Sequence, residues 1–289
     1  MTARTARWWA LAIPVVLAML VGAQPATAQP VTAQEVAAPY VSLGDSFAAG
    51  SGGLPLAPGS DPRCLQSAAN YSRLVAADLG LGLTDVSCVQ ADTESFHVEQ
   101  FPGTAPQLDA VSDTTELVTV MIGGNDNSIY GNLARTCVAA YVLRPEATTP
   151  CLDALGGSPP RIDVIEPNIA TVLSEVHTRA PAARVVIVGY PWLLPPTVGC
   201  APAIPMADGD LPFLYEVQTQ LNATIERAAR ATDTTFVDMA EVSRGHDACA
   251  GPDQRWIEPA IGFRDLSILH PNAAGERAIA EQVLAAIGS

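Results

Sequence analysis

The chain has 289 residues, 48% of them hydrophobic and 16% charged, with a formal net charge of −15. This is a globular rather than a disordered composition, and the length allows a large core in one or two domains. So acidic a chain argues against nucleic acid or an anionic membrane face as main partner, and it favours solubility.

The N-terminus reads as an export signal. Arg4 and Arg7 supply a positive start, and residues 8–21 (WWALAIPVVLAMLV) form an apolar stretch. Residues 26–28 (ATA) offer the small side chains that a signal peptidase needs. The apolar run falls short of the roughly 18 to 20 residues of a spanning helix, and Pro14 interrupts it. An uncleaved anchor is the alternative. Residues 1–28 are expected to be a signal peptide and 29–289 one mature, secreted domain, with no stable membrane insertion.

Short β-branched runs and stretches of helical period alternate from there. Residues 40–43 (YVSL) read as a buried strand that runs into Gly44-Asp45-Ser46. Residues 70–80 (NYSRLVAADLG) read as a helix stopped by a glycine. Residues 85–89 (DVSCV) are a weaker strand, and 117–122 (LVTVMI) a stronger one. A helix from Ile162 ends before Pro181, a strand follows at 184–189 (RVVIVG), and residues 213–231 form the clearest amphipathic helix. A strand at 235–239 (TFVDM) and a helix at 272–288 complete the chain. This alternation predicts an α/β fold: a three-layer α/β/α sandwich with a central parallel sheet. The 24 prolines and 22 glycines cluster in loops between these elements.

Six cysteines follow the signal: Cys64, Cys88, Cys137, Cys151, Cys200 and Cys249. An even count in an exported chain implies three disulfides, and six cysteines allow 15 connectivities. Sequential pairing is expected, Cys64–Cys88, Cys137–Cys151 and Cys200–Cys249, since each then closes one loop without crossing another. No two cysteines show the close spacing of a zinc knuckle and no histidine stands beside them, so a metal site is not expected.

Three polar segments fall at strand ends, where a parallel sheet presents its ligands. They are Gly44-Asp45-Ser46, residues 122–127 (IGGNDN), and residues 269–280 (LHPNAAGERAIA), which open the last helix. Gly-Asp-Ser alone is an ordinary turn. A nucleophilic serine needs a base within hydrogen-bond reach and donors aimed at the oxyanion. Ser46, His270 and Asn125 can supply those roles.

The order of these blocks, the "GGND" and the C-terminal histidine resemble the SGNH hydrolases, also called the GDSL family of esterases and lipases. The resemblance runs from Tyr40 to about Ile287. It is closest to a secreted actinobacterial branch with three disulfides and a similar Gly189-Tyr190-Pro191. It implies an SGNH/flavodoxin-like fold and a serine esterase or lipase without metal or organic cofactor, acting on small-molecule or lipid esters. Ser46 would be the nucleophile and its own N–H an oxyanion donor. Asn125 would donate its side-chain amide, and His270 would be base and then acid. Asp45 and Asp126 would hold their loops. His97, His177 and His246 carry no motif and read as ordinary histidines.

Two departures stand out. The family's second block places a glycine after a cysteine, as CSGA, and that glycine's N–H is a third oxyanion donor. Here the run is CVQA, so Gln90 holds the place and must adopt the glycine's conformation for its N–H to serve. The family often has an acid three residues before the histidine. Here that residue is Ser267. The resemblance therefore implies a Ser–His dyad in which a main-chain carbonyl accepts the histidine's Nδ1–H. Ser267 is the first candidate, Ile268 the second, and the Asp265 carboxylate the rival. A polysaccharide acetyl esterase on the same machinery is the alternative function, and a non-catalytic lipid- or carbohydrate-binding relative a further one. A monomer is the expected state.

Overall fold

The computed structural model describes residues 39–158 and 160–288. The expected signal peptide and its cleavage point lie outside them. The sheet has five parallel strands in the order β2-β1-β3-β4-β5. They are β1 (Tyr40–Gly44), β2 (Leu83–Asp85), β3 (Leu117–Met121), β4 (Arg184–Val188) and β5 (Thr235–Val237). Every residue of β1 and β3 is buried. Covering both faces requires apolar or small side chains at consecutive positions, and the runs YVSLG and LVTVM supply them.

Helices α1 (Ser46–Ala49), α2 (Tyr71–Leu79), α3 (Ile129–Leu143), α4 (Pro150–Ala154), α5 (Glu166–Arg179), α6 (Leu211–Ala231) and α7 (Ala273–Gly288) complete the fold. α2 packs on α7 and α5 on α6, giving the three-layer α/β/α arrangement. Asn70 caps α2 by accepting the Arg73 N–H, and Gly80 ends it in the left-handed conformation. α5 buries Ile169, Val172, Leu173 and Val176, a stripe of helical period. Each such side chain contributes about 1.5–3 kcal/mol of burial.

Three sequence expectations change in detail. The weak strand at 85–89 begins earlier, at Leu83, and its regular part ends at Asp85. The chain nevertheless continues beside β1, since Val86 N–H donates to Ser42 O and Cys88 N–H to Gly44 O, both at 3.0 Å. Ser87 N–H, which faces away from β1, donates to the Asp85 carboxylate at 3.2 Å. The helix expected from Ile162 starts its α-helical part at Glu166, after a 3-10 turn at Asp163–Ile165. α3 is a helix that no periodicity announced. It buries Ile129, Leu133 and Cys137 in the core while Tyr130 and Ala134 line a cleft, so apolar residues occupy more than one of its faces.

The disulfides are Cys64–Cys88, Cys137–Cys151 and Cys200–Cys249, the sequential pairing. Among the described residues no helix is long and apolar enough to cross a membrane.

Candidate active site

β1 and β3 are adjacent, and Gly44 pairs with Met121. The segments that follow them therefore leave the sheet side by side. This is the switch point of a 2-1-3-4-5 order, where such sheets hold their ligands. Gly44 has φ +141°, and a Cβ there would stand 2.3 Å from Met121 O. Only glycine allows this close approach. Both of its backbone groups are held by one side chain: Gly44 N–H donates to Gln107 Oε1 at 2.7 Å, and Gln107 Nε2 donates to Gly44 O at 3.0 Å. Asp45 then caps α1, accepting the Phe47 N–H at 2.9 Å. Ser46 opens the helix, so its own N–H has no intrahelical acceptor.

The His270 ring lies against the Phe47 ring, with centroids 4.8 Å apart. His270 Nδ1 is 2.8 Å from the Ile268 carbonyl, and Nε2 is 2.7 Å from Ser46 Oγ. A carbonyl can only accept, so Nδ1 carries the proton. Nε2 is then the lone-pair nitrogen, and the Ser46 hydroxyl donates to it. Burial pushes the imidazole pKa down, against a smaller upward pull from the Ile268 carbonyl.

The orienting carbonyl is that of Ile268, the second candidate, and the Ser267 expectation is corrected. Leu269 takes the left-handed conformation, φ +57°, and this turns the chain so that Ser267 O receives the His270 backbone N–H at 2.8 Å. Asp265 is engaged elsewhere. Its carboxylate accepts the Ser267 N–H at 2.9 Å and the Ser267 hydroxyl. Below, Asn272 caps α7 by accepting N–H bonds from Ala274 and Gly275.

Gln90 has φ +64°, the left-handed conformation that a glycine adopts freely. The loop around it is fixed by Cys88 and by Gln100 Nε2, which donates to Val89 O at 2.6 Å. Asn125 Nδ2 donates to Ala91 O at 3.0 Å, using one of its two amide hydrogens. Ser46, Gln90, Asn125 and His270 line one cleft of about 330 Å³. Its other walls are mostly apolar, including Leu133, Leu193, Leu194, Met206 and Leu214.

Both family aspartates hold loops. Asp126 accepts the Thr93 N–H at 3.2 Å and the Thr93 hydroxyl, and burial raises its carboxyl to about 6. Asp45 is raised to about 7, again chiefly by burial. Tyr190 is a site residue that sequence reasoning left without a role. Its hydroxyl donates to Asp45 Oδ2 at 2.5 Å and accepts the Gly124 N–H at 2.9 Å. The signal was its place directly after a buried strand. The remaining histidines stay outside the site. His97 pairs with Glu175, His177 reaches the Thr234 hydroxyl, and His246 stacks on Trp256.

A serine hydrogen-bonded to a histidine at the switch point of a parallel sheet defines a hydrolase of the serine-esterase class. Residues 42–278 match the GDSL-like Lipase/Acylhydrolase family, and the chain belongs to it. It is a carboxylic-ester hydrolase of that family. Over 255 residues it is 47% identical to Lipase 2 of Streptomyces coelicolor, covering 86% of this chain and 85% of that one. It is 30% identical to Lipase 1 of the same organism, covering 82% of each. Two solved structures share the fold at 24% identity. The extracellular lipase of Streptomyces rimosus has a TM-score of 0.70, with 86% of this chain and 98% of that one covered. Phospholipase A1 of Streptomyces albidoflavus has a TM-score of 0.69, with 86% and 99% covered.

Proposed function

We propose that the protein hydrolyses lipid esters through an acyl-enzyme on Ser46. The observation that carries this reading is the 2.7 Å contact between Ser46 Oγ and His270 Nε2 at the wall of an apolar cleft. Ser46 Oγ attacks the ester carbonyl carbon while its proton passes to Nε2. The oxyanion is met by the N–H groups of Ser46 and Gln90 and by the second amide hydrogen of Asn125. One such donor is worth about 2.7–4 kcal/mol in the transition state. The imidazolium then protonates the departing alcohol. Water attacks the acyl-enzyme, giving its proton to Nε2; the acyl–Oγ bond then breaks as Nε2 returns the proton to Ser46 Oγ, and the acid leaves.

The Ile268 carbonyl fixes the tautomer as a triad carboxylate would, with a dipole in place of a full charge. The cleft, about 330 Å³ with apolar walls, suits an acyl chain longer than acetyl. Activity on esters of graded length should therefore rise from acetyl upward; a fall would point to an acetyl esterase. We place the mature enzyme at residues 29–289, a secreted single domain acting as a monomer. Three cystines support export.

The decisive experiment is Ser46→Ala with a serine-directed phosphonate. The parent should take up one phosphonate on Ser46 and lose activity. Ser46→Ala should lose activity by about 10⁴-fold or more. Unchanged hydrolysis by that variant would overturn the mechanism.

A further inference from the structure

The loop before His270 carries more exposed apolar surface than the mechanism uses. Ile261 is 54% exposed, Phe263 41%, Leu266 58% and Ile268 38%. Across from them Leu54 is 64% exposed, and Leu54, Phe263 and Leu266 border one groove of about 390 Å³. Single exposed apolar residues are normal, but a contiguous group marks an interaction surface.

The loop is a fixed excursion. Glu258 holds both of its ends, donating its N–H to His270 O at 3.1 Å and accepting the Leu269 N–H at 2.8 Å. The Glu258 carboxylate also accepts the Arg264 N–H at 2.8 Å and pairs with Arg255 at 2.6 Å. The loop's own charges cancel. Arg264 pairs with Asp253 at 2.8 Å, and Asp265 is taken up by Ser267. What the loop presents outward is therefore four apolar side chains, with one ion-paired arginine, Arg264, exposed among them.

We propose that this loop, together with Leu54, docks the enzyme on an electrically neutral lipid surface. Two observations choose that occupant. The chain carries −15 overall, so an anionic surface is repelled while a neutral one is tolerated. The patch is also continuous with the catalytic cleft: Ile268 gives its carbonyl to His270 and leaves its side chain outside, and Leu269 lines the cleft. A lipid leaving an aggregate would pass from patch to cleft along Ile268 and Leu269. This inference rests on the lipid-ester reading above.

The test uses the Ser46→Ala protein and phosphatidylcholine vesicles in a co-sedimentation assay, so that binding is read without turnover. The parent should partition onto the vesicles. Phe263→Asp/Leu266→Asp should cut partitioning by about tenfold or more, and Leu54→Asp, on a separate segment, should lower it as well. Each change in the active chain should leave turnover of a monomeric short-chain ester within about twofold, which also certifies folding. Absent vesicle binding, binding indifferent to both variants, or tighter binding to phosphatidylglycerol vesicles would overturn the proposal. So would a dimer in sedimentation equilibrium that Phe263→Asp/Leu266→Asp disperses, since a second copy would then own the patch. Loss of the ester reading itself would show as no turnover of the monomeric ester, a separate readout.

Discussion

The hydroxyl of Tyr190 stands 2.5 Å from Asp45 Oδ2, 145 residues away in the chain. Because the same oxygen accepts the Gly124 N–H, one phenol joins the nucleophile turn to the oxyanion turn. Tyr190→Phe removes that joint and leaves a buried carboxyl short of a donor. Stability should fall by about 1–3 kcal/mol. The kcat should fall with little change in KM, because the two turns meet only the reacting atoms. Thermal unfolding and steady-state kinetics check both effects.

Asp265→Asn separates the carbonyl dyad from a carboxylate triad. With the Ile268 carbonyl orienting His270, kcat should fall by less than about tenfold. A loss near 10⁴ would mean that Asp265 serves as the triad acid.

Gln90→Gly should relieve the left-handed backbone strain at φ +64°. A gain of up to about 1 kcal/mol is expected, with kcat within a few-fold of the parent, since the backbone N–H is retained. Gln90→Val should destabilise, because a β-branched residue is poorly accommodated there. Chemical unfolding of both variants provides the comparison.

Activity should persist below the ordinary histidine range. Burial lowers the His270 pKa, so the base stays neutral to a lower pH, and kcat/KM should lose its acid limb below about 6.5. A limb well above that value in a kcat/KM profile would contradict the desolvated imidazole.

Stability should run the other way with pH. Asp45 and Asp126 are raised to about 7 and about 6, and Asp85, Asp247 and Glu276 are raised too, all chiefly by burial. A carboxyl with a raised folded pKa binds more protons folded than unfolded, so stability falls as pH climbs from about 4 through about 7. His270 opposes this, since its lowered pKa costs stability as pH drops below its unfolded value, but one imidazole faces five carboxyls. The urea midpoint should therefore be higher at pH 5 than at pH 8. Asp126→Asn should flatten the portion between about pH 4 and 6.

The strands were legible because a doubly covered strand must be an unbroken apolar run, as at Val118 and Val120. α2 was legible from its own caps, Asn70 and Gly80. Ser46 and His270 could be read only together with Asn125, because Gly-Asp-Ser alone is an ordinary turn and the order of the three blocks singles it out. What failed to show depends on distant partners or on single backbone choices. The left-handed Leu269 decides whether Ser267 or Ile268 faces the imidazole, and nothing in "SILH" declares it. Tyr190 meets Asp45 only after the sheet assembles. α3 lacks a polar face of helical period because the cleft replaces solvent on one of its sides.

Each cystine fastens a different wall of the cleft. Cys88 lies two residues before Gln90, Cys137 lies on the helix that carries Tyr130 and Leu133, and Cys200 lies in the loop between Leu194 and Met206. Ser46 and His270 both lie outside the three closed loops in sequence. A chain still in a reducing compartment would thus own its nucleophile but not a finished place for the acyl chain.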